Sequence, residues 1–379
     1  MTLLAYLGSL VTLLVVLAVA AACVPGPAAA PARPPSAAEA APAPTTAAPA
    51  AVAPTNQPRA DDAPLSPPVD VKLGVFGTLG DAGFYVAEER GYFLQEGLNV
   101  EEIPSDSAPR IIPFLASGQV DVAGLSQTPG LFNAVGRGIG IKVVADKGRV
   151  LPGHAYAALV LRKDLVDSGA VRGYGDLRGL RLATPGRGTA MWTELWRALD
   201  AGGLSFADVQ EETLSQPDMM QALANGALDG AMLLEPFLTA AANNGAGVVW
   251  RSIDEFAPNA MNGLVAYAPS FIQNQPEAAK RFMVAYLRGL RDYVDAFDHG
   301  VGKDEMIDLL IKHTPVKNRA LYATMQPVGF DPNGLINVDY LRVEQDIYAR
   351  EGLLTDPADV DALVDLQYVE YAAARLGRR

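Results

Sequence analysis

Cysteine and histidine are nearly missing from this chain of 379 residues, which has one Cys (Cys23) and three His (His154, His299 and His313). A lone cysteine excludes an intrachain disulfide. No two histidines sit at ligand spacing, so thiolate and His-cluster metal centres are not expected, nor is any cofactor. Positive charge is also scarce: 30 Lys and Arg stand against 43 Asp and Glu, a formal net charge of −13. That balance lacks the basic surface that nucleic-acid phosphates require, so no nucleic-acid partner is expected, and it argues against broad docking on an anionic bilayer. The Gly-Lys-Ser/Thr ending of a phosphate loop is absent, and no nucleophile–base pair is visible, so no catalytic residue is assigned.

What is present begins at the N-terminus. Leu3 to Ala22 is an almost unbroken apolar run ending in Ala20-Ala21-Ala22-Cys23. Small residues before a lone cysteine resemble a bacterial lipoprotein signal, in which residues 1–22 are removed and Cys23 carries the lipid. Two features depart from that pattern: no Lys or Arg precedes Cys23, and position 20 is Ala where Leu is usual. The run is also long enough to span a bilayer uncleaved, so a retained anchor and ordinary cleavage stay open. All three readings put the remainder outside the cytoplasm, and the first anchors it to the cell membrane through Cys23. Residues 23–68 are the lipidated Cys followed by a stretch of mostly Ala, Pro, Thr and Ser. Such a stretch cannot bury enough apolar surface to offset ordering, and it reads as a disordered tether.

The folded part carries an internal repeat. Residues 107–125 and 215–233, 108 positions apart, share Ser107/Ser215, Pro109/Pro217, Leu115/Leu223, Ala116/Ala224, Gly118/Gly226, Asp121/Asp229, Ala123/Ala231 and Leu125/Leu233. Eight identities in 19 positions far exceed chance, and the offset suits two similar half-domains rather than a solenoid. Strand and helix patterns alternate from Val69: strands at 71–76, 100–103, 120–125 and 141–145, with helices from Ala82, Pro109 and Thr128. The order recurs from Leu180, which argues for an α/β chain with mostly parallel sheets covered by helices. Tyr156–Leu161 and Gly263–Tyr267 read as two extended crossings between the halves. The expected lobes are 69–158 plus 265–379, and 159–264. Helices at 276–297, 303–312, 318–325 and 338–350 are expected to finish the first lobe.

Several segments carry a resemblance to a known group. They are Glu89-Arg90-Gly91-Tyr92-Phe93-Leu94-Gln95-Glu96-Gly97-Leu98-Asn99-Val100, Ala116–Ala123, Asp176–Ala183, and Leu228-Asp229-Gly230-Ala231 leading to Glu235-Pro236-Phe237. Through them the chain resembles the ABC-importer solute-binding proteins of the sulfonate, taurine, nitrate and thiamine-pyrimidine group, which also has riboflavin-binding members. The resemblance implies a two-lobe periplasmic-binding-protein fold of type II and capture of a small nutrient by lobe closure. It also implies ABC permease and ATPase subunits as partners. A monomer is expected. An enzyme branch of the same fold makes the thiamine pyrimidine with a Cys-rich iron-binding stretch, which this chain lacks. A sensor input domain would need a partner chain.

In open α/β sheets ligands bind beyond the carboxyl ends of strands, at helix N-termini. The repeat then nominates Thr78-Leu79-Gly80-Asp81 with its equivalent Gly186-Arg187-Gly188-Thr189, and Ser126-Gln127-Thr128 with Leu234-Glu235-Pro236. Leu79, Gly80, Ser126, Gln127, Thr128, Arg187, Gly188 and Thr189 are candidate ligand contacts. Asp81 fits a helix cap as readily as a ligand contact. Glu235 can accept from ligand N–H groups, bridge the lobes, or cap the next helix. Tyr85 and Tyr156 can stack on a flat ring and hydrogen-bond as well. Glu235 and the two tyrosines tilt the expectation toward a heterocycle of thiamine-pyrimidine or riboflavin type. An alkanesulfonate, taurine or another organic anion is the alternative.

Overall fold

The computed structural model describes residues 63–105 and 108–379. The apolar N-terminal run, Cys23 and the tether up to residue 62 lie outside the described residues, as does Ser107 of the repeat. Among the described residues no helix is long and apolar enough to cross a membrane. The end of the segment assigned to the tether is not free. Leu65 N–H donates to Glu96 O, and the buried Arg281 guanidinium donates to Ala63 O, so residues 63–68 run against the body of the protein.

Among the described residues, ten strands form two five-stranded sheets. In chain order they are β1 (Val69–Val75), β2 (Leu98–Pro104), β3 (Val122–Leu125), β4 (Lys142–Asp146), β5 (Ala157–Leu161), β6 (Arg181–Thr184), β7 (Gln210–Thr213), β8 (Gly230–Leu234), β9 (Val248–Ser252) and β10 (Leu264–Tyr267). One sheet has the order β2-β1-β3-β10-β4 and the other β7-β6-β8-β5-β9. The two are built alike. β1 pairs parallel with β2 and β3, as β6 does with β7 and β8, while β10 and β5 run antiparallel to both neighbours. The sheets are mostly parallel, as expected, and one reversed strand makes each of them mixed. Those strands, β5 (Ala-Ala-Leu-Val-Leu) and β10 (Leu-Val-Ala-Tyr), are buried along their whole length. That is what a strand covered on both faces requires, and it explains their unbroken apolar runs. By contrast β7, Gln-Glu-Glu-Thr, is a polar edge that blunts unwanted pairing.

The two apolar stretches read as crossings are thus sheet strands, and the crossings lie just before them. β5 belongs wholly to the second sheet and β10 wholly to the first. The connecting segments run side by side, with Lys147 N–H donating to Gly263 O, Val150 N–H to Ala260 O and Asn262 N–H to Gly148 O. Arg149 also forms antiparallel bridges with Met261 and Gly329.

The helices after β10 do more than finish the first half. Pro276–Asp298 is buried against Ala82–Glu89. Helix Val338–Arg350 lies between the halves. Its Tyr348 hydroxyl donates to Gln127 O at 3.0 Å, and its ring meets Phe132 at 5.9 Å. Its Glu344 accepts from Thr193 at 2.8 Å and from Arg197 at 3.3 Å, both on helix Ala190–Ala201 of the other half. Periodicity could identify that helix but not show that it has two partners.

Candidate functional site

A cavity of about 360 Å³ opens where the carboxyl ends of both sheets converge. Its lining includes repeat partners from the two halves: Ala108 with Gln216, and Ser126 with Leu234. Of the residues nominated from sequence, Leu79, Gly80, Ser126, Thr128, Tyr156, Thr189 and Glu235 line it. The structure places Asp81, Tyr85, Gln127, Arg187 and Gly188 outside that lining.

Each of these five has another task. Asp81 is fully buried and organises its own loop. Its Oδ2 accepts from Phe76 N–H, Thr78 N–H and the Thr78 hydroxyl, and its Oδ1 pairs with Lys147 Nζ at 2.9 Å. The Tyr85 ring stacks on His313, with centroids 4.5 Å apart, and burial pushes its phenol up. Gln127 is buried and donates to Met261 O at 2.6 Å. Arg187 is exposed and donates to Glu351 O at 3.2 Å. Gly188 has a φ of +79°, and a Cβ there would lie 2.9 Å from the Pro129 ring of the opposite half, so it is a contact between halves.

The candidates that line the cavity are held in place. The Thr189 side chain caps helix Ala190–Ala201 by accepting from Trp192 N–H. Thr128 is buried, and its Oγ1 has no hydrogen-bond partner. Glu235 combines two of the roles open to it from sequence. Its carboxylate accepts from Thr239 N–H and the Thr239 hydroxyl, and reaches across to Gln326 N–H at 3.2 Å. Burial raises its pKa, while those three donors pull it back down.

Sequence reasoning missed Lys147, Asn262, Gln216, Met191 and Val328, which also line the cavity, as does Phe76, an aromatic readable beside the first loop. Lys147 follows directly on β4, so a cation just past an apolar strand was a readable signal. Gln216 sits one residue past a repeat identity, opposite Ala108. Its side chain closes the end of β8, donating to Met232 O and accepting from Leu234 N–H. Asn262 and Val328 come from the returning crossing and the C-terminal region, where the repeat has no equivalent.

The arrangement is suited to holding a molecule. Apolar walls from Phe76, Tyr156, Met191, Leu234 and Val328 enclose polar groups of both hydrogen-bonding senses: Lys147 and Asn262 can donate, and Glu235 can accept. Glu88, Glu102 and His313 bring metal-ligand atoms within 4.8 Å of one another, but none of them lines the cavity. Burial and the neighbouring Glu88 push Glu102 up to about 8.

Residues 80–297 match the family described as NMT1/THI5 like. The riboflavin-binding protein RibY of Chloroflexus aurantiacus is 31% identical over 242 residues, which are 62% of this chain and 63% of the relative. This chain therefore spans about 63% of the length of the curated relative it matches. The periplasmic aliphatic sulphonate-binding protein SsuA of Escherichia coli superposes with a TM-score of 0.63 at 18% identity, covering 79% of this chain and 92% of that one. The desulfurization enzyme DSZB superposes with a TM-score of 0.61 at 14% identity, covering 81% and 99%. The two structures share the fold, one in a binding protein and the other in an enzyme. The family match takes in Gly80 and Asp81 of the first nominated loop, the other three loops and more than half of the sequence, and the chain belongs to the NMT1/THI5-like family.

Proposed function

We propose that this protein is the solute-binding component of an ABC importer, held outside the cytoplasm, which captures a small organic molecule by closing its two halves. The observation that carries the reading is the cavity lined by equivalent positions of both halves, with contacts between the halves at Gly188–Pro129 and Glu235–Gln326. Capture needs no covalent chemistry. A ligand that touches both walls favours the closed arrangement by its extra affinity for it. The domain division at about residues 158 and 264 belongs to this reading, as do anchoring through a lipidated Cys23, permease and ATPase partners, and action as a monomer.

A neutral heterocycle is the favoured ligand. Lys147 is the only cation in the lining among the described residues, and its charge is already balanced by Asp81. A bare anion would meet no uncommitted positive charge. A flat ring with carbonyl and N–H edges could use the Tyr156 and Phe76 walls, donors at Lys147 and Asn262, and the acceptor Glu235. Riboflavin, bound by the relative at 31% identity according to its name, has that chemistry. The hydroxyls of Thr78, Ser126, Thr128 and Thr189 around the cavity support the second reading, a sulfonate or similar anion.

The test is a thermal-shift and calorimetric screen of the full-length chain in mild detergent. The panel comprises riboflavin, thiamine pyrimidines, taurine and alkanesulfonates. A true ligand at 100 times its Kd adds about 2.7 kcal/mol of stability. Silence across the panel would overturn these assignments while leaving the fold intact. Mass analysis of the N-terminal peptide from membranes tests lipidation of Cys23.

A further inference from the structure

Behind the cavity, a second polar cluster joins the two halves, and nothing in the capture reading yet uses it. Tyr156 lines the cavity, and its hydroxyl donates to Glu194 Oε1 at 3.4 Å. Glu194 lies on helix Ala190–Ala201, is 1% exposed, and its Oε2 has no hydrogen-bond partner. Glu344, on helix Val338–Arg350, is 0% exposed. It takes most of the donors: Arg197 at 3.3 Å on one oxygen, and the Thr193 and Tyr348 hydroxyls at 2.8 and 3.2 Å on the other. Tyr340 faces the same group, with the Arg197 guanidinium 4.8 Å from its ring centre.

Two buried carboxylates thus share one guanidinium. Ionising both would leave a buried charge without a counter-ion, which is strongly unfavourable. Glu344 has the hydrogen bonds and the cation, so Glu194 keeps a proton. Desolvation, then repulsion from Glu344, holds Glu194 well above the usual carboxylate range despite Arg197 and the Tyr156 hydroxyl. Desolvation also raises Glu344, with Arg197 and the Thr193 hydroxyl acting against it. The other titratable groups facing the cluster are Tyr156, Tyr340 and Tyr348, with Asp146 acting on Tyr156 from the end of β4. Burial raises all three phenols.

We propose that Glu194, in its neutral form, is a positioning residue that fixes Tyr156 against the captured molecule and ties that wall to helix Val338–Arg350. The proposal rests on the capture reading, which makes Tyr156 a ligand wall. The linkage has a definite sign. A carboxyl whose pKa is raised in the folded state contributes stability that is present below its unfolded pKa and lost as pH rises through the folded value. Ionisation strengthens the acceptor that Tyr156 meets but places a second buried negative charge beside Glu344, so alkali should push Glu194 away from helix Val338–Arg350 and shift the Tyr156 wall.

The test uses the full-length chain in mild detergent, with unfolding by denaturant followed from neutral pH into alkali for the parent, Glu194→Gln, Tyr156→Phe and the double variant. Glu102 is itself pushed up to about 8, so the readout is the difference between parent and Glu194→Gln. The neutral amide is expected to remain folded at the lower pH and to remove part of the alkaline loss. Its effect and that of Tyr156→Phe should be non-additive. Glu344→Gln frees Arg197 to balance Glu194 and should move the transition to lower pH. Riboflavin affinity in the parent should fall by about tenfold per pH unit once the proton is lost, and stay flat in Glu194→Gln. An unchanged alkaline loss in Glu194→Gln, strict additivity with Tyr156→Phe, or an unmoved transition in Glu344→Gln overturns the proposal. Failure of riboflavin to bind at any pH counts against the heterocycle reading, while the unfolding series still decides the role of Glu194.

Discussion

The loop Thr78–Asp81 after β1 and the loop Gly186–Thr189 after β6 occupy the same place in two halves built alike, yet they are secured differently. In the first, one carboxylate gathers the whole turn: Asp81 accepts from two backbone N–H groups and a hydroxyl, and is neutralised by the buried Lys147. In the second, the cap is a hydroxyl, Thr189, and the loop leans on the opposite half through Gly188 and Arg187. The first loop is therefore held by contacts that do not reach helix Ala190–Ala201 or its loop. The second offers an edge whose contacts depend on the halves being together. In the proposed closure, the first loop serves as the fixed jaw and the second as the closing jaw.

The largest expected effect comes from unlocking the fixed jaw. Asp81→Ala strands the Lys147 ammonium in a site where it is 3% exposed, and should cost about 3–5 kcal/mol in denaturant unfolding. Asp81→Ala combined with Lys147→Met should recover part of that loss, because no charge is left unpaired. The matched change on the closing jaw, Thr189→Ala, removes a cap and the hydroxyl's bond to Gly186 O but strands no charge, and should cost about 1–2 kcal/mol. Equal losses in the two halves would erase the distinction between the jaws.

The second comparison uses Asp121 and Asp229, identical positions of the repeat with opposite titration. Asp229 accepts from Arg181 N–H, twice from the Arg181 guanidinium, and from Arg162. The Arg181 side chain first, then its backbone N–H and the Arg162 charge, hold its carboxyl below the usual range. Asp121 accepts only from Lys72 N–H among the bonds seen, and burial pushes it up. The contribution of Asp229 is present above the unfolded pKa of about 4 and is lost as pH falls through its lower folded value. Asp229→Asn should cost about 1.5–3 kcal/mol near neutrality and flatten the acid side of the stability profile. For Asp121 the sign reverses, with its contribution fading as pH rises through the folded value. An acid titration of both Asn variants separates them.

How far the sequence revealed these jaws can be traced residue by residue. The repeat located both loops, the strand ends and the positions of Gly80, Ser126, Thr189 and Glu235, because strand–loop–helix geometry at a sheet's carboxyl end is a local property. It could not reveal Lys147 as the partner of Asp81, since the two are 66 positions apart and meet only through strand order β1-β3-β10-β4. The same holds for Glu194 and Glu344. Each reads as a polar residue on an amphipathic helix, and only packing of the C-terminal helix between the halves buries both. Tyr85 misled for a related reason. It lies one residue after Phe84 at the start of its helix, and which of the two faces the cavity depends on rotation; both turned out to be core.

The closing jaw can be tested with Gly188→Ala. Its φ of +79° makes any side chain costly, by about 1–2 kcal/mol. The added methyl would also press on Pro129, so ligand affinity should fall beyond what the stability loss explains. Gly334→Ala is the control within the first half, where φ is +71° and the methyl meets Val369 Cγ2 at 2.8 Å, away from the cavity and without crossing between halves. If affinity tracks stability equally in both variants, Gly188 is a turn residue and not a closure contact.

The smallest effect should belong to Arg187, the most conspicuous charge in either loop. Its side chain is 54% exposed and stands 3.9 Å from the Glu351 carboxylate, beyond ordinary hydrogen-bond length. An exposed pair of this kind contributes about 0–1 kcal/mol and is screened by salt. Its guanidinium also lies 5.7 Å from the Trp192 ring, a contact that solvent weakens at such a site. Arg187→Ala should therefore leave unfolding within about 0.5 kcal/mol of the parent and ligand affinity unchanged at moderate salt. A large loss of affinity would mean that Arg187 swings into the cavity when ligand arrives. The closing jaw would then bring a cation that the fixed jaw, with Lys147 already paired, cannot supply, and the balance of ligand chemistry would move from a neutral ring to an anion.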